Sequence, residues 1–535
     1  MMAMGMRTAG LLVPLFSIPS TRSWGIGEIG DLAPFAAWLR EAGMGAVQVL
    51  PLNEMAAGGQ SPYFAMSAMA IDPILISVGQ LEDFHALGGA AAMGSEWRDR
   101  LAAATAATTV DYRLVRSVKG PALRASFERF HAADLSHGTP RAERFRAWCD
   151  AEAWWLEDYA LFRALHAREE ERSWTDWPAP LRARAPDALL TARQELADEV
   201  PFRQYLQWIA DAQWQAARRA AGDVVVFGDL PFMVGADSAD VWVRQDQFRL
   251  NASVGAPPDA FSETGQRWGL PPYRWDVMAR TGFEWLALRA RRLEALFDGY
   301  RVDHVVGFYR TYVIPNGRVF GEFCPSEPAD QLALGETIVR VLAASDGRVV
   351  AEDLGTVPDF VRESLTRLGV PGYRVLRWER DWHADGRPFR NPAEYPALSV
   401  AASGTHDTET LGAWWDSLDE PERETLTRIP GLARLLPDAR SLGDTPFSPA
   451  IRDALLELLY ASGSDLLILP IQDVFGWRHR INVPGLLSDD NWIWRLPWRS
   501  DKLGAEPGAA ERASTLRGWA GRYGRRKIAH VPTKL

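Results

Sequence analysis

Cysteine is almost absent: Cys149 and Cys324 are the only two in 535 residues. Two cysteines build no disulfide framework, and no CxxC or Cys/His ligand spacing accompanies them. Long apolar runs are missing as well. No window approaches the ~18 uninterrupted apolar residues of a membrane helix. The N-terminus has one basic residue, Arg7, before the short run LLVPLF. A secretory leader needs a longer apolar region and a small-residue cleavage site, so this run reads as a first buried strand. Positive charge is not in excess either. The formal net charge is −10, whereas nucleic-acid binders present a basic face. These absences predict a cytoplasmic protein with neither a nucleic-acid nor a membrane partner. Metal and phosphate motifs are lacking too: there is no HExxH, no EF-hand loop and no GxxxxGK[ST]. The block SWGIGEIGD (23–31) holds glycines without the spacing or context of a dinucleotide site. No metal and no other cofactor is expected.

What remains is globular, with 47% hydrophobic and 24% charged residues. Tryptophan stands out, at 23 residues. Flat aromatic rings stack on sugar faces, which suits a carbohydrate site. Most of these tryptophans are expected in the core, Trp148 and Trp155 among them, and a minority at ligand.

Short apolar runs alternate with helical patterns. The runs lie at 10–16, 46–52, 223–231, 300–308, 348–355, 372–378, 397–407 and 465–476. Helical periodicity fills 31–43, with Asp31 as the cap and Gly43 as the stop, and also 283–297, 329–345 and 358–369. Near-continuous Val/Ile/Leu runs suit parallel strands covered on both faces. Eight strand–helix units predict an α/β fold of the (β/α)8 barrel type, with a doubly wound open sheet as the alternative. The spacing divides the chain into a first barrel part (1–78), a helical insertion (79–221), the continued barrel (222–416), a small insertion (417–449) and a last part (450–535). The segment after Ser500 reads as a terminal helix and a frayed end.

Catalytic groups in such barrels sit at the C-terminal ends of strands. Four predicted strands end in acidic clusters: GDLP with Asp229, RVDH with Asp303, AEDLG with Glu352 and GTHD with Asp407. Strand alternation puts Arg301 and Asp303 on one side. A guanidinium beside a carboxylate favours the charged form, which a covalent nucleophile needs. Glu352 shares its side with Val350, and apolar surroundings should keep it protonated, as a general acid must be. Asp353, facing the other way, is the competing candidate. His406 and Asp407 emerge together and suit bonds to sugar hydroxyls, while Thr408 and Glu409 also read as the cap of the next helix. A nucleophile paired with an acid is the retaining glycosidase scheme, with carboxyls roughly 5–5.5 Å apart.

Together these pieces resemble the 4-α-glucanotransferases, also called amylomaltases or disproportionating enzymes, of glycoside hydrolase family 77. The resemblance covers about residues 10–80 and 222–495. It rests on SWGIGEIGD, SPYFAMSAMAIDP, GDLPFMVGADSADVW, GAPPDAFSETGQRWGLPPYRW, YRVDHVVGF, VVAEDLG, SGTHDTET, and RINVPG with NWIW. It implies maltooligosaccharide or α-glucan substrates and retaining transfer of an α-1,4-glucan segment to an acceptor 4-hydroxyl through a glycosyl-Asp intermediate. It places the nucleophile on Asp303, the acid/base on Glu352 and a transition-state-stabilising carboxylate on Asp407. Sugar-binding roles fall on Arg301 and His406, with Tyr63 near the donor site, and Asp229 is expected among the substrate-binding residues. Asp259, Gln266 and Trp268 fall on a loop over the site, and Asn482 near the groove. That loop would exclude water and favour a sugar acceptor. The chain departs from the family at HVVGF, where Val306 replaces a common Arg, at Thr408 in place of an Asn, and in AAGGQ before the SPY block. These departures bear on donor and acceptor preference.

Overall fold

The protein was analysed as a computed structural model, which describes residues 7–258, 265–344, 348–436, 442–486 and 488–525. Eight parallel strands close into a barrel. They are β1 (Thr8–Leu12), β2 (Ala46–Gln48), β3 (Val225–Leu230), β4 (Gly299–Val302), β5 (Arg348–Ala351), β6 (Gly372–Val375), β7 (Ser399–Ala402) and β8 (Leu466–Pro470). Each neighbours the next, and β8 pairs with β1 to seal the ring. All eight apolar runs became strands. The open-sheet alternative is excluded by closure, which leaves no edge unpaired.

The strands are buried along nearly their whole length, as expected where helices cover the outer face and side chains fill the interior. The helices Leu32–Glu41, Glu284–Leu296, Pro328–Leu342 and Asp359–Leu368 alternate with strands as the periodicity predicts. The first of these corrects the capping expectation. Asp31 makes no side-chain cap bond to that helix. Its carboxylate instead accepts from Ser23 Oγ at 2.6 Å and from the backbone N of Glu28 at 2.7 Å. Gly43 does end the turn, with φ +71° in the region that only glycine adopts freely.

The interval between β2 and β3 is mainly helical, and its longest members are Tyr112–Ala133 and Glu199–Ala221. Glu199–Ala221 docks on the barrel, where Trp214 is fully buried and donates to Leu296 O at 2.6 Å. Tyr112–Ala133 is tied to the N-terminal glycine block by a buried ion pair, Lys119 Nζ to Glu28 Oε1 at 2.7 Å. The SWGIGEIGD block thus serves this buried junction. A feature not read from the sequence is a second, antiparallel sheet of Ala252–Ala256, Gln266–Arg267, Thr311–Pro315 and Glu322–Cys324. Among the described residues no helix is long and apolar enough to cross a membrane.

Candidate active site

Register brings the first two charged groups together. Asp229 and Arg301 are direct partners on β3 and β4, and aligned residues of adjacent parallel strands project to the same face. Arg301 Nη1 donates to both Asp229 oxygens, at 2.9 and 2.8 Å. Its other terminal nitrogen, Nη2, lies 2.8 Å from Asp303 Oδ1 and 3.8 Å from Glu352 Oε2. One buried guanidinium therefore holds three carboxyl groups from three consecutive strands, and the two proposed catalytic groups face the same nitrogen. Asp303 is the more accessible of the three, with 24% of its side chain exposed against 12% for Glu352 and 0% for Asp229.

The electrostatics set Glu352 apart. Burial pushes Glu352 up to about 8, against the pull of Arg301 and with the help of the Asp303 charge. It is thus protonated near neutrality, as the apolar strand suggested. Two backbone donors hold its oxygens: His304 N at 2.7 Å and Leu354 N at 3.2 Å. His304 reaches that position with φ +43°, a conformation that costs a non-glycine residue of order 1 kcal/mol or more and that clusters at functional sites. Burial, aided by Arg301, also lowers the His304 imidazole to about 4, so no second cation competes beside Arg301. Asp229 is pushed up by burial to about 6, although Arg301 pulls the other way.

Asp353, the competing acid, points elsewhere. It accepts from the backbone N of Tyr373 at 2.6 Å and pairs with Arg374 at 3.3 Å and Arg362 at 3.5 Å. A Cβ added at Gly372 would fall 2.5 Å from its Oδ2, so β6 needs glycine there to admit the carboxylate. Asp353 is a structural anchor between β5 and β6.

The fourth acidic ending completes the mouth. His406 Nε2 lies 3.3 Å from Asp407 Oδ2, and Asn482 Nδ2 donates to Asp407 Oδ1 at 2.6 Å. Burial would raise Asp407, but His406, Asn482 and Arg301 together bring it down to about 2. Tyr63 stacks on His406, with centroids 5.3 Å apart and an interplanar angle of 14°. Its hydroxyl donates to Asp229 Oδ2 at 2.7 Å, joining the two halves of the site. Thr408 closes a local turn with Thr405, while the cap of the next helix is Thr410, one residue beyond the segment expected.

The loop residues fall in place in part. Trp268 sets its ring edge-on to His304, centroids 5.0 Å apart, and donates to Gln266 Oε1 at 3.1 Å. The loop is rooted in the antiparallel sheet by Gly255↔Arg267 and Ala256↔Gln266. Asp259 lies outside the described residues. Two neighbours were not singled out in the sequence. Trp492 flanks both Tyr63 and His406, and Arg480 donates to the Asp407 backbone carbonyl at 2.7 Å. Trp492 is in the quoted NWIW block, but only the fold puts it against His406.

The barrel agrees with what the chain is similar to. A family model described as 4-alpha-glucanotransferase matches residues 13–500. The 4-alpha-glucanotransferase of Thermus thermophilus is 36% identical, over 95% of this chain and 98% of its own length. That of Chlamydia caviae is 31% identical, over 91% of this chain and 90% of its own. The amylomaltase of Streptococcus agalactiae, solved in complex with acarbose, superposes with a TM-score of 0.80 at 26% identity, covering 97% of this chain and all of its own. With most of its length matched by sequence and by fold, the chain belongs to the 4-alpha-glucanotransferase family of enzymes.

Proposed function

We propose that this enzyme disproportionates maltooligosaccharides by a two-step, retaining transfer. In the first step the Asp303 carboxylate bonds to the anomeric carbon of the donor while the bond from that carbon to the leaving 4-oxygen breaks. Glu352 gives its proton to that oxygen, and a glycosyl-Asp303 ester remains. In the second step the 4-hydroxyl of an acceptor glucan gives its proton to the Glu352 carboxylate and attacks the anomeric carbon, which releases Asp303. Two inversions restore the α configuration. The observation that carries this reading is the shared contact of Asp303 and Glu352 with one guanidinium nitrogen, with one carboxyl in an ion pair and the other held protonated.

Asp407, with its charge secured by His406 and Asn482, is placed to bind sugar hydroxyls that shift as the ring flattens. Asp229 acts from beneath, by orienting Arg301 and Tyr63, because its own oxygens are already taken. Gln266, Trp268 and Asp259 belong to a loop that favours a sugar over water as the second reactant. We read 79–221 as a helical subdomain flanking the groove, 417–449 as a smaller insertion, and the cytoplasm as the site of action, in keeping with two free cysteines.

Maltotriose as sole substrate separates transfer from hydrolysis. Transfer yields glucose and a ladder of longer oligomers at constant reducing-end count. Shorter sugars with rising reducing ends would mean hydrolysis, and unchanged maltotriose would end the enzymatic reading.

A further inference from the structure

A small polar cavity lies between the segments that follow β7 and β8, lined by Thr405, His406, Thr410, Gln472, Asp473 and Arg480 among others. It has space for about one water molecule. Two of the lining side chains bring a buried polar atom with no protein partner, His406 Nδ1 and Gln472 Nε2. Both residues are only 3% exposed. Leaving such an atom unmet costs about 1–3 kcal/mol, and a polar cavity carrying two of them is the setting in which buried water is retained. Asp473 does not meet the need, because its oxygens already accept from Ser403 Oγ and Leu411 N, each at 2.6 Å.

The rest of His406 is committed. Nε2 faces Asp407, Tyr63 covers a ring face and Trp492 tilts against it. The hydrogen bond made at Nδ1 therefore fixes which of the two ring nitrogens carries the proton. We propose that Gln472 is a positioning residue which, through one water held in this cavity, keeps His406 in the Nε2–H form with its proton directed at Asp407. The water accepts from Gln472 Nε2 and donates to His406 Nδ1. Gln472 touches no substrate, and its effect passes through His406. The inference rests on the reading of His406 and Asp407 as partners of the reacting sugar.

A high-resolution crystal structure of the wild-type protein is expected to show one water within hydrogen-bond distance of both atoms. A dry cavity, or a protein atom in that place, overturns the proposal. Histidine 15N spectra of the wild type are expected to show Nδ1 of His406 as the unprotonated nitrogen, and Gln472→Leu is expected to shift that signal. The same variant should lose about tenfold in kcat on maltotriose, the low end of what losing the outer hydrogen-bond partner of a metal-bound histidine costs, with KM within twofold. A variant that loses only thermal stability, with kcat and the His406 signals unchanged, refutes the role. Should Gln472→Leu not fold, the wild-type crystal and spectra decide. Failure of the wild type to disproportionate maltotriose would remove the functional reading while leaving the water and the tautomer as observed, so the two failures are distinguishable.

Discussion

Glu352→Gln is expected to make the protein more stable in alkaline solution while abolishing its chemistry. Burial holds the Glu352 carboxyl at about 8, whereas the same group in the unfolded chain ionises near 4.5. Below pH 4.5 both states keep the proton and the residue is neutral in the balance. Between 4.5 and 8 the unfolded chain releases its proton and the folded one does not, so the folded state loses ground. The loss runs at about 1.4 kcal/mol per pH unit and reaches about 5 kcal/mol once the pH passes 8. Only 12% of the side chain is exposed, so solvent screening removes little of it. Glutamine cannot ionise and escapes this loss. Its amide offsets part of the gain, because the Glu352 oxygens accept from His304 N and Leu354 N, and an NH2 group set against either leaves a donor unmet at about 1–3 kcal/mol. The variant should therefore exceed the wild type by about 2–4 kcal/mol at pH 9, and match it or fall below it at pH 5. Urea unfolding of both proteins at pH 5, 7 and 9 reads this directly. Parallel stability profiles across that range would show that the site does not hold Glu352 protonated, and the general-acid assignment would lose its physical basis.

The same group sets the alkaline limb of kcat/KM, which should fall as Glu352 gives up its proton near pH 8; a rate level to pH 9.5 would assign the acid elsewhere. Asp353→Asn should lower unfolding free energy by about 1–3 kcal/mol, since it weakens the link to Tyr373 N and two arginines, yet leave kcat of the folded protein within a few-fold, as measured at a temperature well below its midpoint. Trp268→Ala should raise the share of hydrolysis over transfer, read as reducing ends released per maltotriose consumed; an unchanged ratio would separate this ring from water exclusion.

Much of the barrel was legible because each βα unit is written locally. An apolar run such as DLLILP or RVVA has one reading when both faces are covered, and Pro328–Leu342 and Asp359–Leu368 carry their own helical period. The antiparallel sheet was not legible for the converse reason. Its central pairing joins Ala252–Ala256 to Thr311–Pro315, strands far apart in sequence with short, mixed patterns. At the site, alternation separated Glu352 from Asp353 and set Arg301 beside Asp303, because facing follows from a period of two. Depth does not follow from that period. Asp229 ends its strand much as Asp303 follows the next, yet it is buried beneath Arg301 while Asp303 reaches solvent. Residues from distant loops, Tyr63, Asn482 and Trp268, were identifiable through family motifs, and their partners only through the fold. Asp31 shows the same limit on a small scale: a capping residue in pattern, its carboxylate serves Ser23 and Glu28.

The central claim is that Asp303 forms the covalent bond. Glu352→Gln treated with α-maltosyl fluoride tests it most directly, because fluoride departs without an acid while the second step lacks its base. The account predicts a protein heavier by one maltosyl group, with the label on the peptide containing Asp303. A label on Glu409 or Asp407, or turnover to β-maltose with no labelled protein, would contradict it.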